Sequence, residues 1–253
     1  MNLNPRQRSI LDAVRSQVTI SVEELAHQLA VTPQTVRRDV QQMEEARLLA
    51  RYHGGVGLPS SVENIDYSQR QVMNIAAKRR IAAAVAARVR PGSSLLINIG
   101  TTTEEVARAL RHHTGLHVVT NNLNVATIMA DQPSCEVIVA GGVVRGRDRG
   151  IVGEATVEFI RQFRVDIGII GVSSIEPDGT LRDFDSREVK VAQAIIEQSR
   201  EIWLVADQDK FVRQALVRLA HLSQMDRLFC DAEPPAALSA LLEEARVEVV
   251  VAP

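Results

Sequence analysis

Thr32-Pro33-Gln34-Thr35-Val36-Arg37-Arg38-Asp39-Val40 reads as the opening of a helix. Thr32 is a strong N-cap, Pro33 sits in the first turn where its missing N–H costs nothing, and Val36, Val40 and Met43 recur at helical spacing to form one apolar face. Gln34, Thr35, Arg37, Arg38 and Gln41 fall off that face and offer groups that hydrogen-bond base edges and phosphates. Glu44 and Glu45 follow in the C-terminal half, where phosphate would repel them, so the N-terminal end is the one expected to enter a DNA groove. A capped amphipathic helix with solvated arginines is the plainer reading of the same residues. The flanks decide between the two.

Upstream, Ile10, Leu11 and Val14 mark an amphipathic helix within residues 4–17, and Ser21-Val22-Glu23-Glu24 has the form of a capping box opening a short helix through Leu25 and Leu29. Only Ala30 and Val31 separate that helix from Thr32, which predicts a helix-turn-helix. Residues 48–52, His53-Gly54-Gly55 and residues 56–58 then predict two short strands around a glycine turn, a wing from which Arg51 and His53 could reach a phosphate or the minor groove. Thr32 and Arg51 are expected to contact or position phosphate.

A chain of 253 residues exceeds what one winged helix needs, so a second domain with its own core is expected. With 45% hydrophobic and 24% charged residues, the composition is that of a globular protein rather than a disordered or membrane one. The formal charge of -2 supplies no global attraction to nucleic acid; through Leu58 there are 7 Arg against 6 Asp plus Glu, a local +1, so DNA affinity must come from where the charges sit. No apolar run has the length of a membrane span or a signal peptide, and a cytoplasmic location is expected. Cys135 and Cys230 lie in no metal-ligand spacing, and His112 and His113 close a predicted helix, so no metal is expected.

The hydrophobic period lapses over residues 59–74, which read as a linker between a DNA-binding domain at 1–58 and an effector domain at 75–253. An Ala-rich helix over 76–89 ends at Pro91-Gly92. Apolar runs at 94–99, 117–120, 136–140, 165–172, 202–207, 227–231 and 248–252 alternate with predicted helices at 102–112, 123–130, 155–162, 186–200 and 235–245. Such alternation predicts an α/β domain with a largely parallel sheet covered on both faces, whose ligands bind at the strands' C-terminal ends.

The first such end runs Asn98-Ile99-Gly100-Thr101-Thr102-Thr103-Glu104-Glu105, a glycine followed by hydroxyl residues that open a helix. Backbone N–H groups and threonine hydroxyls there can cradle a phosphate at the positive helix end, although a threonine in this position is more often only a cap. Thr120-Asn121-Asn122 could hold ligand hydroxyls or cap a helix, and Gly141-Gly142 precedes Arg145, the one candidate clamp among the arginines of an otherwise solvated loop. Lys210, in Asp207-Gln208-Asp209-Lys210, is one of three lysines in an otherwise arginine set of cations; it suits a phosphate, or a salt bridge to Asp207 or Asp209. Asp183, Asp185 and Glu188 supply carboxylates near a helix start, for capping or for sugar hydroxyls. Gly168-Ile169-Ile170-Gly171 falls within a strand and is no dinucleotide fingerprint, so no nicotinamide, and no other cofactor, is implied.

Together the two halves resemble the DeoR-type bacterial transcriptional repressors over nearly the whole chain. The resemblance is carried by Arg6, Ile10 and Val14, by Thr32, Thr35, Val36, Arg37, Arg38, Asp39 and Val40, and by Gly100-Thr101-Thr102, Thr120-Asn121, Gly141-Gly142 and Asp207 with Lys210. The runs 120–126, 153–156 and 162–164 with Asp166 are similar to members that govern glycerol metabolism. Asn98 stands where the family commonly has Asp, and Asp209 where Ser is common before the lysine. The resemblance implies a C-terminal effector domain of the ribose-5-phosphate isomerase and coenzyme A transferase fold. It also implies a homo-oligomer, dimer or tetramer, on double-stranded operator DNA, and a phosphorylated effector, glycerol 3-phosphate or a sugar phosphate, that releases it. The competing class is a phosphosugar isomerase with a DNA-binding head, in which Asp183, Asp185 or Glu188 would act as base beside Lys210. A third class, a structural adaptor, would bind no phosphate ester.

Overall fold

The computed structural model describes residues 3–17, 19–46, 48–52, 55–59 and 64–253, and the chain divides into two compact units, Met1–Ile65 and Asp66–Pro253. In the first, helices α1 (Pro5–Ser16), α2 (Val22–Gln28) and α3 (Pro33–Glu45) precede an antiparallel hairpin of β1 (Ala50–Tyr52) and β2 (Gly55–Gly57). The predicted wing tip at His53 and Gly54 lies outside the described residues, as do residues 60–63 of the predicted linker. Asn4 and Gln7 form a reciprocal capping box at α1, and the Ser21 side chain accepts from the Glu24 N–H at 3.0 Å to start α2. Ile10, Val14, Leu25, Val36, Val40 and Met43 are wholly buried, so each helix contributes an apolar stripe to one small core. A bridge between Ile20 and Val56 adds a third extended segment to the hairpin. Gly55 is required there, since a Cβ would stand 2.5 Å from the Ile20 carbonyl oxygen.

The second unit begins with α4 (Tyr67–Val72) and α5 (Ile75–Ala86). Then follow β3 (Ser94–Ile97), α6 (Thr101–Ala109), β4 (His117–Thr120), α7 (Leu123–Ala130), β5 (Glu136–Val139), β6 (Val143–Val144), β7 (Ile151–Val152) and α8 (Glu154–Ile160). The remainder is β8 (Val165–Gly171), β9 (Ser174–Ile175), β10 (Thr180–Asp183), α9 (Ser186–Glu197), β11 (Ser199–Val205), β12 (Val217–His221), β13 (Arg227–Cys230), α10 (Ala236–Glu244) and β14 (Glu248–Val251). Seven strands form one wholly parallel sheet in the order β14-β13-β11-β8-β3-β4-β5.

Strand periodicity sorts the two faces. Leu95, Ile97, Val118, Ile167, Ile169, Trp203 and Phe229 pack under α5, α6 and α7, while Leu96, Val119, Ile170, Ile202, Leu204 and Leu228 pack under α8, α9 and α10. Each of the seven predicted strands is a strand of this sheet, shifted by at most a few residues. The chain leaves β3 toward β5, then returns to lay β8 on the other side of β3, so the winding direction reverses between β3 and β8. Such a reversal opens a crevice beyond the strand ends.

Three features differ from expectation. The loop after Gly141-Gly142 is a hairpin, β6 with β7, and a three-stranded antiparallel sheet in the order β12-β10-β9 lies outside the main one. Strands of two to five residues carry too little alternation to register in a sequence. The third is α4, within the predicted linker. It buries none of its side chains in an apolar core and is held by hydrogen bonds: the Tyr67 hydroxyl donates to Glu104 Oε2 at 2.7 Å and accepts from Asn124 Nδ2 at 2.9 Å. A helix held this way has no hydrophobic period to read.

Leu96 lies at the centre of the sheet and is wholly buried. Leu96→Ala is expected to cost about 2–5 kcal/mol, read as a lower denaturation midpoint in the fluorescence of Trp203, the single tryptophan, which packs on the opposite face.

Candidate DNA-reading surface and effector cleft

In the first unit, Thr32 accepts from the Thr35 N–H at 3.3 Å and the two hydroxyls lie 2.9 Å apart, so both threonines fix the first turn of α3. Thr32, Gln34, Arg37 and Arg38 are exposed on that turn and Thr35 is half-buried. Arg37 pairs with Glu23 of α2 at 3.0 Å and Arg51 with Glu44 at 2.9 Å. All four of these side chains are exposed, and solvent-screened pairs contribute little, so both arginines can be traded to phosphate at small cost. Arg38 makes no ion pair among the described residues. Asp39, on the same helix, has the opposite role: it is buried, takes an ion pair from Arg6 and accepts from Gln7 at 3.4 Å, which locks α1 to α3. Sequence reading took Asp39 only as part of a motif; the lock depends on Arg6 lying across the helices.

In the second unit, the crevice between the ends of β3 and β8 is lined by Gly100, Thr101 and Thr102 from one side and by Gly171, Val172 and Ser173 from the other. Asp183 and Glu188, Arg70, and Lys210 complete it. Among the expected effector residues, then, Gly100, Thr101, Thr102, Glu188 and Lys210 come together. Among the described residues no protein group engages the Thr101 or Thr102 hydroxyl, and both threonines are nearly buried at the N-terminus of α6.

The other candidates build the frame. Thr103 donates back to the carbonyls of Asn98 at 2.9 Å and Gly100 at 2.8 Å. Asn98 Oδ1 accepts from the Gly171 N–H at 3.1 Å, tying β3 to β8 at the crevice floor. Thr120 donates to the Ile97 carbonyl at 2.6 Å, Asn121 to the Ile151 carbonyl at 2.9 Å, and Asn122 caps α7. Gly141 accepts from the Thr156 hydroxyl at 2.8 Å, and a Cβ on Gly142, at φ 148°, would stand 2.1 Å from that same oxygen.

Arg145 corrects the expectation of a ligand clamp. It is buried and meets Asp148 at 2.6 Å, Glu188 at 2.7 Å and Asp185 at 3.1 Å. Burial lowers its pKa, but Glu188 and Asp148 more than offset this and hold it above the ordinary arginine value. A guanidinium shared by three carboxylates has no charge left for an anion, so Arg145 fastens the β6–β7 hairpin to α9.

Lys210 is the contrast. The salt bridge to Asp207 or Asp209 weighed from the sequence is not formed: among the described residues Lys210 has no carboxylate within ion-pair distance. Burial, then the charge of Arg213, pushes its ammonium down to about 7, with Asp207 opposing and Arg70 and Lys78 adding repulsion. Glu188 is pushed the other way, up to about 7, by burial and by Asp183, against the pull of Arg145. Arg70 and Ser173 were not legible as members of this site, because each lies on a segment whose position only the folded sheet decides.

A helix-turn-helix with a wing, joined to a parallel α/β unit whose switch-point cleft gathers cations, is the build of a DNA-binding regulator that senses a small anion. The DeoR-like helix-turn-helix domain matches residues 6–62 and the DeoR C terminal sensor domain matches residues 73–232, and the chain belongs to the DeoR family. It is 44% identical to the glycerol-3-phosphate regulon repressor of Escherichia coli K12 over 98% of this chain and 99% of that one. It is 47% identical to the protein of the same name from Haemophilus influenzae, over 96% of this chain and 95% of the relative. Among solved structures, ribose 5-phosphate isomerase A of Methanocaldococcus jannaschii aligns over 55% of each chain with 13% identity and a TM-score of 0.41.

The two titrating groups set opposite pH dependences. Glu188, raised in the fold, lends stability that is present below the ordinary carboxylate range and lost as pH rises through about 7. Lys210, depressed in the fold, weakens it below about 7, and that penalty disappears as pH rises toward the ordinary lysine value. Affinity for a phosphoester is expected to fall as pH rises through about 7, since the lysine loses its proton while the phosphate, with a second pKa of about 6, is already a dianion. Calorimetric titration across that range checks this, and a flat profile would exclude Lys210 as the anion's partner.

Proposed function

We propose that this chain is a transcriptional repressor of glycerol-metabolism genes, released from operator DNA by glycerol 3-phosphate. The observation that carries the reading is the cleft at the switch point, which is lined together by Thr101 and Thr102 at the start of α6 and by Lys210, with no ion pair to Lys210 among the described residues. Those groups suit a phosphate. Asp183, Glu188 and Ser173 on the far side suit the hydroxyls of a short polyol. The identity with two proteins named for the glycerol-3-phosphate regulon supports glycerol 3-phosphate as the ester for this chain.

In the first unit, Gln34, Thr35, Arg37 and Arg38 read the major groove from the N-terminal turns of α3, while Thr32 and Arg51 position phosphates. The mechanism is linkage: an effector that binds better to the DNA-free arrangement weakens operator affinity by its differential affinity, typically about 1–3 kcal/mol. The protein acts in the cytoplasm as a homo-oligomer on a repeated or palindromic operator, and without a catalytic role. No helix among the described residues is long and apolar enough to cross a membrane.

One observation favours a second reading, an isomerase: Asp183, Glu188 and Lys210 share the cleft. Against it, Glu188 is held by Arg145 at 2.7 Å, which leaves it poorly placed to move between proton donor and acceptor. Turnover of sugar phosphates above blank at catalytic protein concentration would establish the enzyme.

Arg38→Ala is expected to weaken operator binding by tenfold or more while leaving glycerol 3-phosphate binding unchanged, and Lys210→Ala to do the reverse. Gel-shift titration with and without the ester, together with calorimetry, reads both. Loss of both activities in either variant would show that the two roles are not separate.

A further inference from the structure

The seven-stranded sheet of the second unit ends on β14 at one side and on β5 at the other, and the two edges are finished differently. Along β14, Arg227 holds Glu248 at 2.5 Å and all three valines are at least half-buried. β5 runs Glu136-Val137-Ile138-Val139 and leaves Val139 exposed. Only six large apolar side chains are exposed among the described residues, and three of them, Val139, Val143 and Val144, fall within six consecutive positions on β5 and β6. On the opposite face of β5, Ile138 lies at the margin of the core with Phe159 and Phe163, both half-buried, their ring centroids 5.2 Å apart. An apolar margin along a free strand edge invites a further strand.

The backbone says which strand fits. β5 pairs only with β4, and the Glu136 and Ala140 N–H groups donate to the Leu116 and Thr120 carbonyls, each at 2.9 Å. In a parallel ladder the polar groups of alternate residues point the same way, so Glu136, Ile138 and Ala140 turn theirs to β4 and Val137 and Val139 turn theirs outward. A two-fold axis through Ile138, normal to the sheet, lays β5 antiparallel to its own copy with each Val137 opposite the other copy's Val139. Those become the hydrogen-bonded pairs, and every outward N–H and C=O is satisfied. On one face valine meets valine, on the other Ile138 meets itself. Glu136 falls opposite Ala140 rather than its like-charged twin, and His117 meets its charge from within the chain at 2.8 Å. An unrelated strand would find the same backbone groups, but this match of side chains belongs to a second copy.

We propose that the sensor unit pairs with a second copy of this chain through β5, strand on strand and antiparallel about an axis at Ile138, so that two seven-stranded sheets continue as one. This deepens the reading of the chain as a homo-oligomer by naming the surface on which copies meet. A stable interface takes about 800 Å² from each partner, more than four residues of strand present, so Val143 and Val144 are covered with it.

The test uses the full chain, its mass measured by sedimentation equilibrium across micromolar concentrations and its fold checked by circular dichroism. Val139→Pro removes an outward N–H and none that β4 accepts, and Val139→Lys keeps the N–H but sets a charge against the valines. Each is expected to raise the dissociation constant at least tenfold with the fold retained. In a Cys135→Ser background, Ile138→Cys is expected to cross-link into covalent dimers on mild oxidation, since facing residues of a non-hydrogen-bonded pair stand about 4.5 Å apart at Cα, within disulfide reach. Val137→Cys in the same background is expected to stay unlinked. A monomeric unaltered chain at tens of micromolar would overturn both the homo-oligomer and this surface. An oligomer whose mass neither Val139 variant changes, with Ile138→Cys unlinked, would overturn the surface alone and leave the oligomer standing. Linking at Val137→Cys in place of Ile138→Cys would overturn the axis proposed here.

Discussion

A cation taken out of water must be met by negative charge or surrender its proton. Two sheltered basic groups of the sensor unit settle this in opposite ways. Arg145 is met by three carboxylates and is held firmly ionised, while Lys210 has none within ion-pair distance among the described residues and is pushed down to about 7. The first arrangement is closed and holds a hairpin in place. The second is open, and in the proposed function the missing negative charge is supplied by the phosphoester.

The sheet creates the place for that open charge. Because the chain winds outward from β3 to β5 and then returns to β8, two neighbouring strands send their following segments in opposite directions, and the gap between them is covered by neither helical layer. Around the gap, the polar residues that are not available to a ligand are engaged with backbone: Asn98 with Gly171, Thr103 with Asn98 and Gly100, Thr120 with Ile97. They hold the rim rigid.

The head works by a different division. Asp39 is buried under Arg6 and sets the angle of the recognition helix, whereas Arg37 and Arg51 keep exposed partners that a phosphate can replace. Strong contacts stay within the protein and weak ones face outward, so binding DNA need not disturb the packing that presents α3.

The helix-turn-helix, the seven strands of the sheet and the helices between them were legible in the chain, because caps, turns and apolar periods of 2 and 3.6 are properties of neighbouring residues. Gly100-Thr101-Thr102 was legible for the same reason, as a strand ending in a helix start. The short hairpin β6–β7 and the sheet of β9, β10 and β12 were not, for they are too brief to carry a period, and α4 was not, since hydrogen bonds rather than apolar burial hold it. The division of labour between Arg145 and Lys210 was also beyond the sequence. It turns on Asp185 and Glu188 arriving from some forty residues away to neutralise one cation while no carboxylate reaches the other, and charge balance in a fold depends on distances that only the tertiary structure sets.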